Sequence, residues 1–314
     1  HSGASLGIAI YPSDGETVSD LFKHADTAMY HAKAAGHSTL AFFRQDMRQA
    51  AMRRLTIDNR LRRAVERDAL KIVYQPIVDS QQNRLLGLES LLRWQDEELG
   101  HVPPTEFVKA LEDLGMIDAV TDWLMDGVCR QIKQWEVAGM NGFYVSVNLS
   151  PRSFRRHNCA ELIQAPLKVH DVKEGRVAVE ITETHMMQNP AQAMGILEAI
   201  RSAGIRVGMD DFGTGYSSLS LLKRFPIDFI KIDGSFVRDL VDDPGDATLV
   251  QAIIAMGDSL GLGLVAEGVE THAHVAALRD MGCSVMQGYH YARPMPGDAL
   301  QGWYETWMKS VSVM

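Results

Sequence analysis

The sequence predicts an α/β fold, a TIM-like (β/α)8 barrel, on the basis of three observations. From about residue 71 onward, short apolar runs alternate with longer amphipathic segments, the pattern of repeated strand and helix units around a parallel sheet. Eight apolar runs fall within roughly 240 residues, which suits such a barrel. Acidic and amide residues recur within or at the ends of these runs, where barrel enzymes build their sites.

The apolar runs are the candidate strands. In chain order they are KIVYQPIV (71–78), LLGLESLLRW (85–94), GFYVSVNLS (142–150), RVAVEIT (176–182), IRVGMDDF (205–212), DFIKID (228–233), GLVAEG (263–268) and SVMQG (284–288). The candidate helices, several ending in glycine as helices commonly do, are PTEFVKALEDLG (104–115), AVTDWLMDGVCRQIKQWEVAG (119–139), PAQAMGILEAIRSAG (190–204), DATLVQAIIAMGDSLG (246–261) and THAHVAALRDMG (271–282). The first two runs, joined by the polar turn DSQQNR, can instead pair as a hairpin, so a fully parallel order is not assured.

The leading part of the chain does not follow the barrel pattern. Residues 1–43 read as strand, turn, helix and a final strand, too little to bury a core alone, and we interpret them as the end of another domain. Apolar residues at helical spacing, Met47, Ala51 and Leu55, predict a connecting helix over 44–68, which leaves 69–314 for the barrel domain. The many arginines of this helix fit a solvated face better than a nucleic-acid site.

Bulk composition excludes several classes of protein. The formal net charge of −9 argues against a nucleic-acid-binding surface, so no DNA or RNA partner is expected. No apolar run approaches the roughly 18 residues of a membrane span, and the N-terminus lacks a signal-peptide layout. We therefore expect a cytoplasmic chain, although upstream segments could anchor an intact protein at the inner membrane. Three widely spaced cysteines indicate reduced thiols.

Polar residues at the strand ends form a candidate site. They are Glu89, Asn148, Glu180, Asp210, Asp211, Lys231, Glu267 and Gln287. A parallel barrel brings the carboxyl ends of its strands together, so residues spread over 200 positions would converge. Carboxylate and amide oxygens suit Mg²⁺ or Mn²⁺ rather than zinc. His272 and His274 stand two apart in a candidate helix, where side chains diverge, and we assign them no metal role.

Asp210 and Asp211 raise a specific question, because adjacent carboxylates repel each other. In a regular strand they would point to opposite faces, but at a strand end followed by glycines both can turn toward one site. One of the two carboxylates could then bridge two metal ions, while the other carboxylate binds only the second ion. Such a pair of ions suits the in-line attack of a nucleophile on a phosphodiester. The alternative is a helix-capping aspartate beside a turn.

Three other polar residues allow two interpretations each. Lys231 could orient or deprotonate an attacking water, or could be a structural lysine in a salt bridge. Arg93 and Gln287 are candidate contacts to a phosphate and a base, respectively. The aromatic residues near them are interpreted as core or rim rather than as stacking platforms; these are Tyr74, Trp94 and Tyr289.

Eight motifs occur in the order found in the EAL domain family, which this chain closely resembles over about residues 70–300. They are YQPIVD, ESLLRW, VNLSPRSF, EITE, DDFGTGYSSL, KIDGSFV, AEGVET and QGYHYARPMP, with Ser90 where the family usually has alanine. The resemblance implies a cyclic di-GMP phosphodiesterase that forms linear pGpG on a TIM-like barrel with an antiparallel first strand. Because no expected metal or water position is missing, we expect catalysis.

The resemblance also implies a role for each site residue. Glu89, Asn148, Glu180 and Asp210 would bind one Mg²⁺ or Mn²⁺ ion, and Asp210, Asp211 and Glu267 would bind a second. Lys231 and Glu267 would act on the attacking water, while Gln75, Leu91, Arg93 and Gln287 would contact substrate or water. Glu183 would hold the loop after Asp211, Glu270 would be a further supporting acid, and the DDFGTGYSSL loop would lead toward a homodimer interface.

The leading segment resembles the C-terminal end of a GGDEF domain, chiefly in SLGIAIYP and ADTAMYHAKAAGHS. The cyclase signature is absent, so we do not expect this chain to make cyclic di-GMP. Two alternatives to a phosphodiesterase stay open. One is a cyclic di-GMP receptor that barely cleaves and signals through its linker helix and partner domains, and the other is a different metal-dependent barrel hydrolase.

Overall fold

The computed structural model describes residues 4–35, 39–67, 69–215 and 219–311. The chain divides into two compact units, each considered separately. The larger unit comprises Leu70–Gln95 and Gly115–Met314, and the smaller unit comprises His1–Ala69 and Asp96–Leu114.

Strands and helices of the described residues are numbered in chain order. The strands are β1 Leu6–Ile8, β2 Leu40–Phe42, β3 Leu70–Asp79, β4 Arg84–Asp96, β5 Gly100–Val102, β6 Tyr144–Asn148, β7 Val177–Thr182, β8 Arg206–Phe212, β9 Phe229–Ile232, β10 Gly263–Ala266 and β11 Val285–Gln287. The helices are α1 Val18–Ala35, α2 Gln45–Glu66, α3 Pro104–Asp113, α4 Ile117–Val137, α5 Pro151–Phe154, α6 Cys159–Val169, α7 Glu183–Gln188, α8 Pro190–Ser202, α9 Leu219–Leu222, α10 Gly234–Arg238, α11 Pro244–Leu260, α12 His272–Asp280 and α13 Leu300–Val311.

The larger unit is a closed barrel, which confirms the fold predicted from the sequence. Its strands follow the order β3, β4, β6, β7, β8, β9, β10 and β11, and β11 pairs back onto β3. Strand β3 runs antiparallel to both of its neighbours, whereas the other neighbouring pairs are parallel. The hairpin read from the DSQQNR turn and the antiparallel first strand are therefore both present.

Burial explains why the barrel strands read as continuous apolar runs. Strand β7 is buried from Val177 to Ile181, because its inner face meets the barrel interior and its outer face meets helices. The surrounding helices contribute their apolar faces to the same core, for example Val128, Ile132 and Trp135 of α4. In the sequence, the barrel strands are therefore marked by continuous apolar runs and not by an alternation of apolar and polar residues.

One aromatic layer inside the barrel depends on glycine. Tyr144 and Phe229 pack there with small and aliphatic residues, and the Arg206 guanidinium lies 4.4 Å from the Tyr144 ring centroid. A Cβ atom on Gly208 would lie 2.3 Å from the Phe229 ring, and one on Gly87 would lie 2.6 Å from the Tyr144 ring. These two strand glycines make the space that the rings occupy.

The smaller unit contains the parallel pair β1–β2, helices α1 to α3 and strand β5. Ala28, Phe43 and Met47 form a small core, while Tyr11 and Phe22 are mostly exposed. Arginines of α2 pair with acids of the same unit, namely Arg53 with Glu106, Arg54 with Asp113 and Arg60 with Asp96. The domain boundaries read from the sequence stay a prediction.

None of the helices in the described ranges is long and apolar enough to cross a membrane.

Replacing Gly208 by alanine is expected to lower the free energy of unfolding by about 1–3 kcal/mol, because the new methyl group would overlap the Phe229 ring. Guanidinium unfolding followed by circular dichroism measures the effect. Gly195 of α8 is the matched control, since a Cβ atom there meets nothing within 4 Å and alanine should stabilise the helix by up to about 1 kcal/mol. Equal stabilities of the two variants would contradict this account of the aromatic layer.

Candidate active site and metal centre

The site is centred on the ammonium group of Lys231, a fully buried residue of β9. Its Nζ lies 2.6 Å from Glu267 Oε1 and 2.7 Å from Glu180 Oε2. Glu89 Oε2 is 3.2 Å away and Asp210 Oδ1 is 3.6 Å away. Strands β4, β7 and β8 and the residue after β10 each contribute one of these carboxylates, so the predicted convergence takes place.

Amide side chains hold Glu89 in place. Asn148 Nδ2 donates to Glu89 Oε1 over 2.6 Å, and Gln287 Nε2 donates to Glu89 Oε2 over 2.6 Å. The same Gln287 amide lies 3.2 Å from Gln75 Oε1, and Gln75 Nε2 donates to the Ala292 carbonyl. Gln75 reaches this cluster from the antiparallel strand β3, where it pairs in register with Glu89.

Ser90, which replaces the alanine usual in the family motif, has a satisfied hydroxyl group. It is 2% exposed and donates to the Ser146 carbonyl of the neighbouring strand over 2.7 Å. A buried hydroxyl without a partner would be costly, and this bond removes that cost. The position next to Glu89 therefore accepts serine.

Asp210 and Asp211 turn toward the same region, as the strand-end hypothesis requires. The pairing of β8 with β9 shifts register between Met209 and Phe212, and Asp211 has a φ of 53°. The left-handed backbone thus occurs at an aspartate, which tolerates it better than most residues, and at Gly213 after it. Ligand atoms of Asp210, Asp211 and Glu267 lie within 4.8 Å of one another.

Glu183 supports the loop after Asp211. Its Oε2 accepts a hydrogen bond from the Gly213 backbone N–H over 2.9 Å. A Cβ atom on Gly215 would lie 2.7 Å from Glu183 Oε1, so this glycine allows close approach of the loop. Residues 216–218 of the DDFGTGYSSL motif, which we connected with a dimer interface, lie outside the described residues.

The protonation of the site reflects an excess of carboxylates over cations. Burial raises the pKa of Glu180 to about 8, with repulsion from Glu89 and Asp210 adding to the effect and Lys231 opposing it. Burial also raises the pKa values of Asp210 and Glu267. Burial and the Asp210 charge together raise the pKa of Asp211 to about 6.

Glu89 and Lys231 are shifted the other way, toward their charged forms. Burial opposes the ionisation of Glu89, but Lys231 and the amides of Gln287 and Asn148 outweigh it, and its pKa lies below the ordinary value. Burial likewise opposes the charge on Lys231, yet the surrounding carboxylates raise its pKa well above the ordinary value. An ion pair between these two groups therefore persists at neutral pH.

The donor set fits hard divalent cations. Glu180 Oε1 is buried and has no hydrogen-bond partner within the described part of the chain, so one carboxylate oxygen lacks compensation. The polar side chains gathered here offer carboxylate and amide oxygens, the ligand type that Mg²⁺ and Mn²⁺ prefer. A bound cation would give Glu180 Oε1 a partner and would reduce the repulsion between the neighbouring carboxylates.

A cavity of about 310 Å³ opens onto the carboxylates. Among its lining residues are Gln75, Glu89, Leu91, Glu267, Glu270 and Gln287. Arg93 lies close enough for its charge to interact with Glu89 and Tyr289, and its Nη1 donates to the Leu92 carbonyl. The residues expected at a substrate site thus lie in or beside one cavity.

Sequence reasoning missed Asp233 and the exact place of Tyr289. Asp233 follows Lys231 by two positions, the spacing that places residues on one face of a strand, and it lies close enough to Asp211 to help raise the pKa of that residue. Tyr289 is 49% exposed, lines the cavity and carries the Arg293 guanidinium 4.2 Å from its ring centroid, so it belongs to the rim. Tyr74 and Trp94 are buried core residues.

Comparison with known proteins gives consistent matches. Residues 58–294 match the EAL domain, and residues 1–39 match the diguanylate cyclase, GGDEF domain. The bifunctional diguanylate cyclase/cyclic di-GMP phosphodiesterase MucR of Pseudomonas aeruginosa is 39% identical over 297 residues, which make up 95% of this chain and 43% of MucR. The cyclic di-GMP phosphodiesterase PdeR of Escherichia coli K12 is 38% identical over 309 residues, 98% of this chain and 46% of PdeR.

A solved structure described as the PaMucR phosphodiesterase in complex with c-di-GMP is also similar. It has a TM-score of 0.76 at 37% identity, and the match covers 78% of this chain and 99% of that one. This chain spans less than half the length of the two curated relatives above.

Replacing Lys231 by methionine is expected to lower the free energy of unfolding in EDTA by roughly 3 kcal/mol, because removing one partner leaves buried carboxylates without their cation. Denaturant unfolding in EDTA measures the change. The exposed Lys309, replaced in the same way, serves as the control and should leave stability unchanged. A Lys231 variant as stable as its parent would show that the ammonium does not hold this cluster together.

Proposed function

Because this chain belongs to the EAL domain family, we propose that it is a metal-dependent phosphodiesterase that hydrolyses cyclic di-GMP to linear pGpG. The observation that carries the proposal is the ring of carboxylates around Lys231, with an unpaired Glu180 oxygen and a cavity beside it. The domain boundaries, a homodimer through the barrel domain and a cytoplasmic location remain predictions from the sequence.

The metal ligands follow from the donor set. We assign Glu89, Asn148, Glu180 and Asp210 to one ion, and Asp210, Asp211 and Glu267 to a second. When bound, two Mg²⁺ or Mn²⁺ ions would polarise the phosphodiester and make water a better nucleophile.

Metal dependence also follows from the charge of the site. Cyclic di-GMP is an anion, and its phosphate would approach four carboxylates that only one ammonium offsets. Burial raises the pKa values of Glu180, Asp210 and Glu267, so acids of this group can take up protons when no metal is bound. Bound cations would keep the carboxylates ionised and offset their charge, so that the anionic substrate can approach.

The protein groups orient the reaction and accept its proton. Glu267 Oε1, held 2.6 Å from Lys231 Nζ, is positioned to accept a proton from the attacking water. Lys231 stabilises the negative charge that develops near it. Gln75 and Gln287 keep Glu89 oriented, and Glu183 keeps the Gly213 backbone in place.

Substrate recognition is assigned to the cavity walls. Leu91 provides apolar contact, while Gln287 and Gln75 offer amide groups to substrate or water. Arg93 contributes a guanidinium group, which matches phosphate oxygens geometrically. Glu270 lines the same cavity as a supporting acid.

Replacing Asp210 by asparagine is expected to reduce turnover of cyclic di-GMP at least about a hundredfold, because the residue is assigned to both metal ions and its loss removes transition-state stabilisation. Formation of pGpG in Mg²⁺, followed by ion-exchange chromatography with an EDTA control, measures this. Glu198→Gln, an exposed change on α8, is the matched control. Undiminished turnover by the Asp210 variant would refute the metal assignment, and tight binding without pGpG by the parent chain would favour the receptor alternative.

Replacing Asp211 by asparagine is expected to reduce the number of bound Mn²⁺ ions from two per chain to one, since Asp211 is assigned only to the second ion. Isothermal titration of the metal-free protein with Mn²⁺ gives the stoichiometry. The parent chain should also unfold at a higher temperature with Mn²⁺ than in EDTA, because a ligand that binds only the folded state stabilises it. A stoichiometry of one in the parent chain would reject the two-ion site.

A further inference from the structure

The segment from Glu267 to Thr271 joins β10 to α12 and carries three residues of the cavity, Glu267, Gly268 and Glu270. The backbone of this segment, called here the Glu267 loop, determines where the Glu267 carboxylate meets Lys231. Gly268 has a φ of 67°, and a Cβ atom there would lie 2.9 Å from the Gly234 Cα. The backbone of the Glu267 loop therefore packs directly against the backbone of Gly234.

Backbone groups also hold the centre of the Glu267 loop. The Val269 N–H donates to the Gln287 carbonyl over 3.1 Å, and the His290 N–H donates to the Val269 carbonyl over 2.9 Å. A Cβ atom on Gly288 would lie 2.0 Å from the Val269 oxygen, so the two segments are in direct contact. These contacts do not change with pH, because neither partner ionises.

The next amide of the loop is held differently. The Glu270 N–H donates to Nδ1 of His274, a buried residue of α12, over 3.3 Å. A backbone amide can only donate, so Nδ1 of His274 accepts, and the ring is neutral with its proton on Nε2. The His274 N–H in turn donates to Thr271 Oγ1 over 3.2 Å, which caps the helix. This exchange resembles a capping box in which histidine takes the place of glutamate or glutamine, but the N–H that it accepts belongs to Glu270, the residue before the N-cap Thr271.

We propose that His274 is a positioning residue for the reaction: by accepting the Glu270 N–H it fixes the Glu267 loop, and with it the carboxylate that faces Lys231. The catalytic consequence rests on the proposed function, whereas the structural consequence does not. Since protonated Nδ1 is a donor, the bond is lost when His274 becomes charged. The position of the loop should therefore depend on pH.

Two further imidazoles, those of His272 and His290, lie near His274. His272 of α12 lies with its ring centroid 4.5 Å from that of His290, in a T-shaped arrangement. Burial, together with the charges that His272 and His274 can carry, lowers the pKa of His290. The carboxylate of Glu270, on the loop itself, is exposed to solvent. Three imidazoles in one small region thus disfavour several positive charges at once.

Two substitutions separate hydrogen bonding from simple packing. His274→Gln keeps an acceptor that does not ionise, and His274→Leu keeps apolar volume but removes the acceptor. His272→Gln is the matched control, because it removes an exposed histidine from the same helical turn. Thr271 can cap the helix in all three variants, since it accepts from a backbone N–H.

Amide hydrogen exchange of the metal-free full chain tests the loop directly, without relying on enzymatic activity. For peptides spanning 267–275, His274→Leu should exchange about three to ten times faster than the parent chain, the factor expected for loss of one hydrogen bond. His274→Gln and His272→Gln should stay within about twofold of the parent. Equal exchange in His274→Leu and the parent, or faster exchange in His274→Gln to the same extent as in His274→Leu, would overturn the proposal.

Hydrolysis of cyclic di-GMP in saturating Mg²⁺ tests the catalytic consequence. We expect kcat of His274→Leu to fall about three- to tenfold, with His274→Gln restoring it. The ratio of kcat between the parent and His274→Gln should decrease as the pH is lowered from about 8 to about 5.5, where histidines gain protons. A kcat ratio that stays constant over this pH range would overturn the proposal. Because this ratio compares the parent chain with His274→Gln, the test does not require His274→Leu to fold. If the parent chain forms no pGpG, the proposed function fails while the exchange experiment still decides the role of His274.

Discussion

The fully buried Lys231 ammonium lies within 3.6 Å of carboxylate oxygens from four separate segments of the barrel. Each of these acids would be costly to bury alone, and each is accommodated because the Lys231 ammonium lies beside it, with amide donors added at Glu89. The compensation is incomplete, since Glu180 Oε1 has no partner in the described ranges and the pKa values of several acids are raised. That imbalance links the packing of the barrel to the proposed binding of divalent cations.

The rest of the larger unit supplies the rigidity that such a cluster requires. An aromatic layer fills part of the barrel, with Tyr144 and Phe229 occupying the space left by Gly87 and Gly208. Dense packing transmits constraint, so unfavourable local geometry can persist at the site. The left-handed backbone of Asp211 is one such feature, and it brings two adjacent carboxylates to the same cluster.

The two ends of the proposed catalytic apparatus are stabilised in different ways. Around Asp211 a carboxylate of Glu183 accepts the Gly213 amide, while around Glu267 an imidazole accepts the Glu270 amide. An ionised carboxylate keeps its acceptor oxygens over the neutral range, but an imidazole loses its acceptor nitrogen on protonation. The chain thus holds the two loops through different acceptors, a carboxylate oxygen on one side of the site and an imidazole nitrogen on the other.

The sequence by itself determined the barrel and the residues that converge. Runs buried on both faces mark the strands, and parallel strands place their carboxyl ends together, so acids far apart in sequence were expected to meet. It left the role of Lys231 open, because a lysine after an apolar run can pair with acids or act on water. The resemblance of the sequence to EAL motifs named Gln75 as a site residue, but only the antiparallel register of β3 with β4 placed it beside Glu89.

Only the tertiary structure decided which groups touch. The position of Tyr289 at the rim, the proximity of Asp233 to Asp211 and the hydrogen bond from Glu270 to His274 depend on how loops from different strands approach one another. Hydrophobic periodicity carries no information about these contacts, since it reports burial along one element at a time. Side-chain pairing and the resulting protonation arise from distances and dielectric surroundings that exist only once the barrel has closed.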